Sequence, residues 1–394
     1  MRILGIESSC DETAAAVVED GRRLLSNVVV SQINIHALYG GVVPEIAARS
    51  HIEAINPVVN RALLEAGCTW DDIDAIAVTY APGLVGSLLV GTLAARTLAV
   101  LKNKPLYPIH HVEAHVYANF ITEQQSRSRA TESKHLQTEL TAASEPARES
   151  GAKPLTTSGR REGELQLPTR QPAFPMLALI VSGGHSQLVL FKDHGDYELL
   201  GQTQDDAVGE AFDKVAKILG LPYPGGVSIA EAAKHGDPYK YKLPKAKLDN
   251  LYNFSFSGLK TAALRAIQAE VGQDYTFPSH ELAVRLTDAQ RNDFAASFQR
   301  VAIETLVDKA ERVFHDYTPA SVVIAGGVAA SQELRRQLSA RLPLAIEYAP
   351  MQLCTDNAAM IATLGYYYAQ KKQPISPFDM EVVPSLSMTK TAWA

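Results

Sequence analysis

Two histidines four residues apart, His111 and His115, carry the clearest chemical pattern in the chain. On a helix four residues advance about 400°, so both imidazoles share one face, about 40° apart. That spacing suits two ligands of one metal ion, and it equally suits two hydrogen-bonded histidines on a polar helix face. Glu113 lies between them, about 200° around the helix from His111, and points away from the shared face. A zinc peptidase of the H-E-x-x-H type has its carboxylate directly after the first histidine, so Glu113 is misplaced for a hydrolytic base. A third ligand must come from elsewhere. Asp356, in Cys354-Thr355-Asp356-Asn357, precedes an alanine-rich helix and by itself reads as the N-cap of that helix. Two imidazoles and a carboxylate would suit zinc or ferrous iron, with positions left for substrate or water.

Three glycine turns form the second group. Ser182-Gly183-Gly184-His185 joins two strands, Gly225–Gly226 opens a helix, and Gly326–Gly327 sits between a strand and a helix. Glycine permits positive φ and leaves backbone N–H groups free to face phosphate oxygens. Each turn alone is also explained by chain reversal without a ligand. The first turn, Glu7 to Thr13, is acidic and hydroxyl-rich. Asp11 and Glu12 there can orient a metal, a water or an amine, or form a solvated hairpin tip. Asp213, on a helix, is placed either to grip a ribose hydroxyl or to be a surface acid. Ser257-Gly-Leu-Lys260 matches S-x-x-K, but its S-D-N and K-T-G companions are absent, so Ser257 reads as a helix cap.

The elements that position these groups follow from periodicity. Ile3–Glu7, Ala14–Val18 and Leu24–Ser31 read as strand, turn, strand, turn, strand. Pro44–Ala66 has helical spacing, with Ile46, Ile52, Ile55, Val59 and Leu63 near one face. Ile73–Thr79 is a strand, and Pro82–Gly91 a loop feeding a helix through Leu101. The same order returns at Met176–Val181, Gln187–Phe191 and Glu198–Gln202, then at strand Ser321–Ala325 and helix Gln332–Leu342. This repeat predicts two α/β lobes with a cleft between them, the glycine turns facing it. The expected units are residues 1–121, an insertion at 122–172, residues 173–370, and a tail at 371–394 without pattern. Thr122 to Pro172 has no aromatic residue and no apolar period, and reads as a disordered insertion or, through Arg160–Arg161, a basic arm that contacts a nucleic acid.

Bulk composition bounds the function. The chain has 394 residues and a formal net charge of -6, so a nucleic acid must be held by a local basic patch and by shape. Cys10, Cys68 and Cys354 form no C-x-x-C pair, which argues against a disulfide framework or thiolate metal site and fits a reducing cytosol. The most apolar stretch, Ala75 to Leu101, is broken by Pro82, glycines and Arg96. Met1 to Glu7 lacks the apolar core of a signal peptide. The expectation is a soluble cytoplasmic protein without a membrane association.

Taken together the strings resemble the bacterial tRNA adenosine threonylcarbamoyltransferase family, whose relatives include the catalytic subunit of the KEOPS complex. The resemblance rests on Gly5–Thr13, Gly40–Arg49, Pro82–Leu88, His111–His115, Val181–His185, Gly209–Lys214, Tyr223–Gly226, Phe254–Thr261, Ala325–Val328 and Thr355–Asn357. It implies the duplicated two-lobe α/β fold of actin, Hsp70 and sugar kinases, with a central cleft. It implies one divalent metal, iron favoured and zinc possible, on His111, His115 and Asp356. It implies a donor, threonylcarbamoyl-AMP, held by Ile180, Val181, Ser182, Gly183, Gly184, Asp213, Gly226, Gly326, Gly327 and the position of Ser331. Asp11 and Glu12 match acids linked with activity. The acceptor is tRNA, and the expected partners are a paralogue of the same fold and a small P-loop ATPase. Three departures stand out. Ser331 replaces a frequent Asn, Ala230 replaces an acid or serine, and the 122–172 insertion is long for the family. The competing readings are an ATP hydrolase or kinase of the same fold, a metallopeptidase, and a non-catalytic nucleotide-binding scaffold.

Overall fold

The computed structural model describes residues 1–123 and 166–389. Most of the expected insertion, residues 124–165, and the last five residues of the chain lie outside the described residues. Along the chain the elements are β1 (Arg2–Glu7), β2 (Glu12–Glu19), β3 (Arg23–Ser31), α1 (Ile33–Ala37), α2 (Pro44–Glu65), β4 (Ala75–Ala81), α3 (Val85–Lys102), β5 (Leu106–His110) and α4 (His111–Tyr117). There follow β6 (Met176–Val181), β7 (Ser186–Asp193), β8 (Asp196–Gln202), α5 (Val208–Leu219), α6 (Gly225–Ala233), α7 (Ser257–Glu270) and α8 (Asp288–Tyr317). The chain then forms β9 (Ser321–Ala325), α9 (Gln332–Arg341), β10 (Ile346–Tyr348), α10 (Met351–Cys354) and α11 (Ala358–Lys371).

The strands form two five-stranded sheets, ordered β3-β2-β1-β4-β5 and β8-β7-β6-β9-β10. In each, the first three strands are antiparallel and the fourth and fifth run parallel to the first. The two halves therefore repeat one topology, as the sequence repeat predicts. β1 and β6 sit at the centre of their sheets. Their buried runs, Ile3 to Glu7 and Met176 to Val181, are covered on both faces, which explains why they read as continuous apolar segments rather than alternating ones.

Two helices cross between the halves. α4 leaves the first sheet and packs against β6 and β9 of the second. α11, expected within the 173–370 unit, packs instead on β1, β2 and β4 of the first sheet. Missing side chains make that approach possible. A Cβ on Gly5 would stand 2.7 Å from the Ala362 nitrogen and closer still to the Ala358 carbonyl oxygen, so only glycine admits the helix backbone there. The residues after α11 carry no periodicity, yet they form a strap over the first half. Ile375 pairs with Leu106, Val383 N–H donates to the Tyr80 carbonyl (3.0 Å), and Met380 and Met388 are buried.

Of the helical face expected in α2, Ile55, Val59 and Leu63 are buried, but Ile52 is exposed. The buried stripe runs through Ala47, His51, Ile55, Val58 and Ala62, and Ile52 falls beside it. Among the described residues α3 is long and apolar enough to cross a membrane. It lies on β4 and α2, with Leu88, Ala95 and Ala99 buried beneath it.

Candidate metal centre and cleft

The three candidate ligands meet. β5 ends at His110, which caps α4 by accepting the Glu113 N–H on Nδ1 (3.4 Å), and α4 begins at once with His111. His111 Nε2 and His115 Nε2 lie 3.2 Å apart. Asp356 Oδ1 stands 3.6 Å from the first and 3.2 Å from the second. Asp356 is not the N-cap. Asn357 takes that role, its Oδ1 accepting the Met360 N–H at 3.1 Å, which leaves the neighbouring carboxylate free. The glycine contact between β1 and α11 sets the depth of that helix start, and so delivers Asp356 to the carboxyl end of β1.

The donor set fits a metal ion. Nitrogen ligands about 2.1 Å from a metal stand about 3.0–3.4 Å apart at bond angles of 90–109°; the two 3.2 Å separations fall in that range, and the 3.6 Å between His111 Nε2 and Asp356 Oδ1 lies just beyond it. Glu7, fully buried at the end of β1, places Oε2 3.1 Å from His111 Nδ1. The same oxygen accepts the Thr79 hydroxyl at 2.5 Å, while Oε1 accepts the Ser9 N–H at 2.5 Å. A carboxylate on Nδ1 keeps the proton there and turns the Nε2 lone pair toward the cluster. The two Nε2 atoms and the Asp356 carboxylate then converge on one point, an arrangement suited to a cation.

Without an ion a proton serves. Burial pulls the His111 imidazole down, but the Asp356 and Glu7 carboxylates outweigh it and carry it up to about 9. Burial works to raise Asp356, yet His111 and His115 hold it well below the usual carboxylate range. His185, from the Ser182–His185 turn of the second half, comes within electrostatic reach. Burial first, then the His111 and His115 charges, drive it down to about 3, so it is neutral. Sequence reasoning missed both Glu7 and His185. The available signal for Glu7 was an acid closing a strand otherwise built to be buried.

Asp11 and Glu12 border this cluster. Ser31 Oγ donates to Glu12 Oε1 (3.1 Å), and Glu12 is carried up to about 9 by burial, then by the Asp356 and Asp11 charges. Across the cleft, burial and the charges of Asp11, Asp213 and Glu12 push the Tyr223 hydroxyl up. The first turn and the Tyr223–Gly226 segment are therefore opposed. Asp213 Oδ1 accepts the Gly225 N–H at 2.7 Å and fixes the start of α6; burial raises its carboxyl.

The glycine positions divide. Gly183, Gly184, Gly226 and Gly327 have open space where a Cβ would be. Gly326 has φ +88°, and a Cβ there would stand 2.5 Å from the Val181 carbonyl oxygen, so it closes the β9 turn against the end of β6. Ile180 and Val181 bury their side chains completely in β6, so only their backbone can meet a ligand. Ser331 caps α9, its Oγ accepting the Leu334 N–H at 3.3 Å. Ser257, expected as a cap, is the first residue of α7, and its hydroxyl donates to Asp205 Oδ2 at 2.6 Å. Glu113 turns away from the cluster to accept the Tyr368 (2.8 Å) and Tyr197 (3.3 Å) hydroxyls, which removes the hydrolytic base a metallopeptidase would need.

A duplicated two-lobe fold with a His–His–carboxylate cluster at its cleft defines an enzyme of the actin/Hsp70/sugar-kinase class with a candidate metal centre. The solved structure of full-length HypF, in a phosphate- and nucleotide-bound form, shares the fold over 94% of this chain and 46% of that one, with a TM-score of 0.51 and 12% identity. Residues 23–129 and 162–363 match the family described as TsaD: tRNA N6-adenosine threonylcarbamoyltransferase. The tRNA N6-adenosine threonylcarbamoyltransferase of Thermomicrobium roseum is 46% identical over 94% of this chain and 93% of its own length. That of Symbiobacterium thermophilum is 44% identical over 98% and 96%. The chain belongs to the tRNA N6-adenosine threonylcarbamoyltransferase family. A Dehalococcoides mccartyi relative is 44% identical over 99% of this chain and 100% of its own length, and the family match leaves out residues 130–161, which lie within the expected insertion.

Proposed function

We propose that this transferase moves a threonylcarbamoyl group from threonylcarbamoyl-AMP to the N6 amine of the adenosine beside the anticodon, in tRNAs reading codons that begin with adenine. The observation that carries the reading is the convergence of His111, His115 and Asp356 beside the Asp11–Glu12 turn, opposite the glycine turns of the second half. His111, His115 and Asp356 would hold one divalent ion, ferrous iron in preference to zinc. Bound there, such an ion supplies positive charge that orients the donor and polarises its carbonyl.

The chain's own groups do the rest. Backbone N–H groups of Gly183, Gly184 and Gly326–Gly327 bind the AMP phosphate, while the Ser182 N–H closes the turn on the His185 carbonyl (2.8 Å); Asp213 and Gly226 face the ribose, and the Ser331 turn borders the base. Ile180 and Val181 contribute backbone only. The adenine amine attacks the carbamoyl carbon, a C–N bond forms, and the bond to the AMP phosphate oxygen breaks with its electron pair leaving on AMP. Asp11 or Glu12 takes the amine proton. Glu12, held up at about 9 by burial and by Asp356 and Asp11, has the proton affinity of a base once it is ionised.

A paralogue of the same fold and a small P-loop ATPase would assist, and the reaction would run in the cytoplasm, where tRNA is decoded. The test is transfer of labelled threonine from threonylcarbamoyl-AMP to tRNA by the purified chain, with and without those partners. Label in tRNA is the expected result. Rapid ADP production without tRNA and no label would favour an ATP hydrolase or kinase instead.

A further inference from the structure

The loop between α1 and α2 has a feature that the reaction above does not use. Its base is fixed. His36 is fully buried, accepts the Val43 N–H on Nδ1 (3.3 Å) and donates from Nε2 to Gln32 Oε1 (3.2 Å), while its carbonyl accepts the Tyr39 (3.0 Å) and Gly41 (3.3 Å) N–H groups. Its tip is bare. Leu38 is 83% and Tyr39 60% exposed, and nothing lies within 4 Å of a Cβ built on Gly40 or Gly41. Two adjacent large apolar side chains held off the body on a pinned base cost solvation free energy and contribute nothing to the fold.

The position of the loop says what could cover it. The Gln32 N–H donates to the Asp11 carbonyl (3.0 Å) and Ser31 to Glu12 (3.1 Å), so α1 rises directly from the two acids that border the metal cluster. An exposed aromatic face on a loop that rises from those two acids suits an unstacked nucleobase. We propose that Tyr39 stacks on a base flanking the target adenosine in the anticodon loop and so holds the acceptor amine over the cluster. This rests on the reading of the chain as a tRNA-modifying transferase.

The test uses the full chain with its partner proteins. Tyr39→Ala should raise KM for tRNA about tenfold, equivalent to about 1.4 kcal/mol, with kcat within twofold and donor affinity unchanged. Tyr39→Phe and Tyr39→Trp should restore KM. An anticodon stem-loop with 2-aminopurine at each flanking position should be quenched by the parent and Tyr39→Phe but not by Tyr39→Ala. Parental KM and quenching in Tyr39→Ala overturn the proposal, as does loss of partner binding in place of RNA contact. A parent chain that leaves tRNA unmodified overturns the functional reading and this proposal with it.

Discussion

Glu7→Gln isolates the part the buried carboxylate plays in the cluster. Glu7 offers two acceptor oxygens, and both are used: Oε1 by the Ser9 N–H, Oε2 by the Thr79 hydroxyl and His111 Nδ1. A glutamine supplies one acceptor and one donor. If its oxygen faces Ser9, its NH2 faces His111, and Nδ1 can accept only by giving up its proton. The imidazole then carries its hydrogen on Nε2, the atom needed by the metal. If the amide turns over, its NH2 meets the Ser9 N–H, leaving two donors opposed in a dry site, at a cost of about 1–3 kcal/mol. Either outcome weakens the site without removing a ligand. Partners at this remove typically change metal affinity by about 10–100-fold, or about 1.4–2.7 kcal/mol. Chelator-competition titration with zinc, read by elemental analysis of the protein fraction, measures it. A variant that binds within threefold of the parent would refute the argument that Glu7 sets the His111 tautomer.

Further outcomes follow from the same geometry. Because His111 is carried up to about 9, the metal-free chain holds a proton that an entering ion must displace. Apparent metal affinity should therefore rise with pH, by about tenfold per unit toward pH 9; a flat titration between pH 7 and 9 contradicts this. The linked stability has the opposite sense: the raised histidine stabilises the metal-free fold fully below its ordinary value near 6.5, and that contribution disappears as pH climbs through about 9. Asp11→Ala and Glu12→Ala should each abolish transfer while donor binding, followed by calorimetry, stays measurable; undiminished transfer rejects their assignment. Gly5→Ala forces the α11 backbone off β1 and should cost about 3 kcal/mol in urea unfolding, with metal affinity falling as Asp356 is displaced. Parental stability in that variant would show that the close approach of the helix is not required.

Much of this was legible in the residues, and the failures have physical causes. The repeated strand order gave the two sheets, because turn glycines and buried β-branched runs are local signals. His111 and His115 were legible because helical spacing alone puts them on one face. Asp356 was ambiguous, since an acid before a helix is a good cap; the competing Asn357 beside it takes the cap and frees it. Glu7 was missed because strand periodicity reports burial and not what a buried acid is paired with. The path of α11 was misjudged because the pairing of Gly5 with Ala358 and Ala362 joins residues more than 350 positions apart, and no local pattern announces it. The strap after α11 escaped notice for the same reason: it is held by backbone hydrogen bonds and single methionines rather than by a periodic face.

The most direct measurement is anomalous diffraction from a crystal of the iron- or zinc-loaded chain with a non-hydrolysable threonylcarbamoyl-AMP analogue. The account predicts one peak about 2 Å from His111 Nε2, His115 Nε2 and an Asp356 oxygen, with the analogue's phosphate against the amides of Gly183 and Gly184. A peak elsewhere, or an analogue bound away from the cluster, would contradict it.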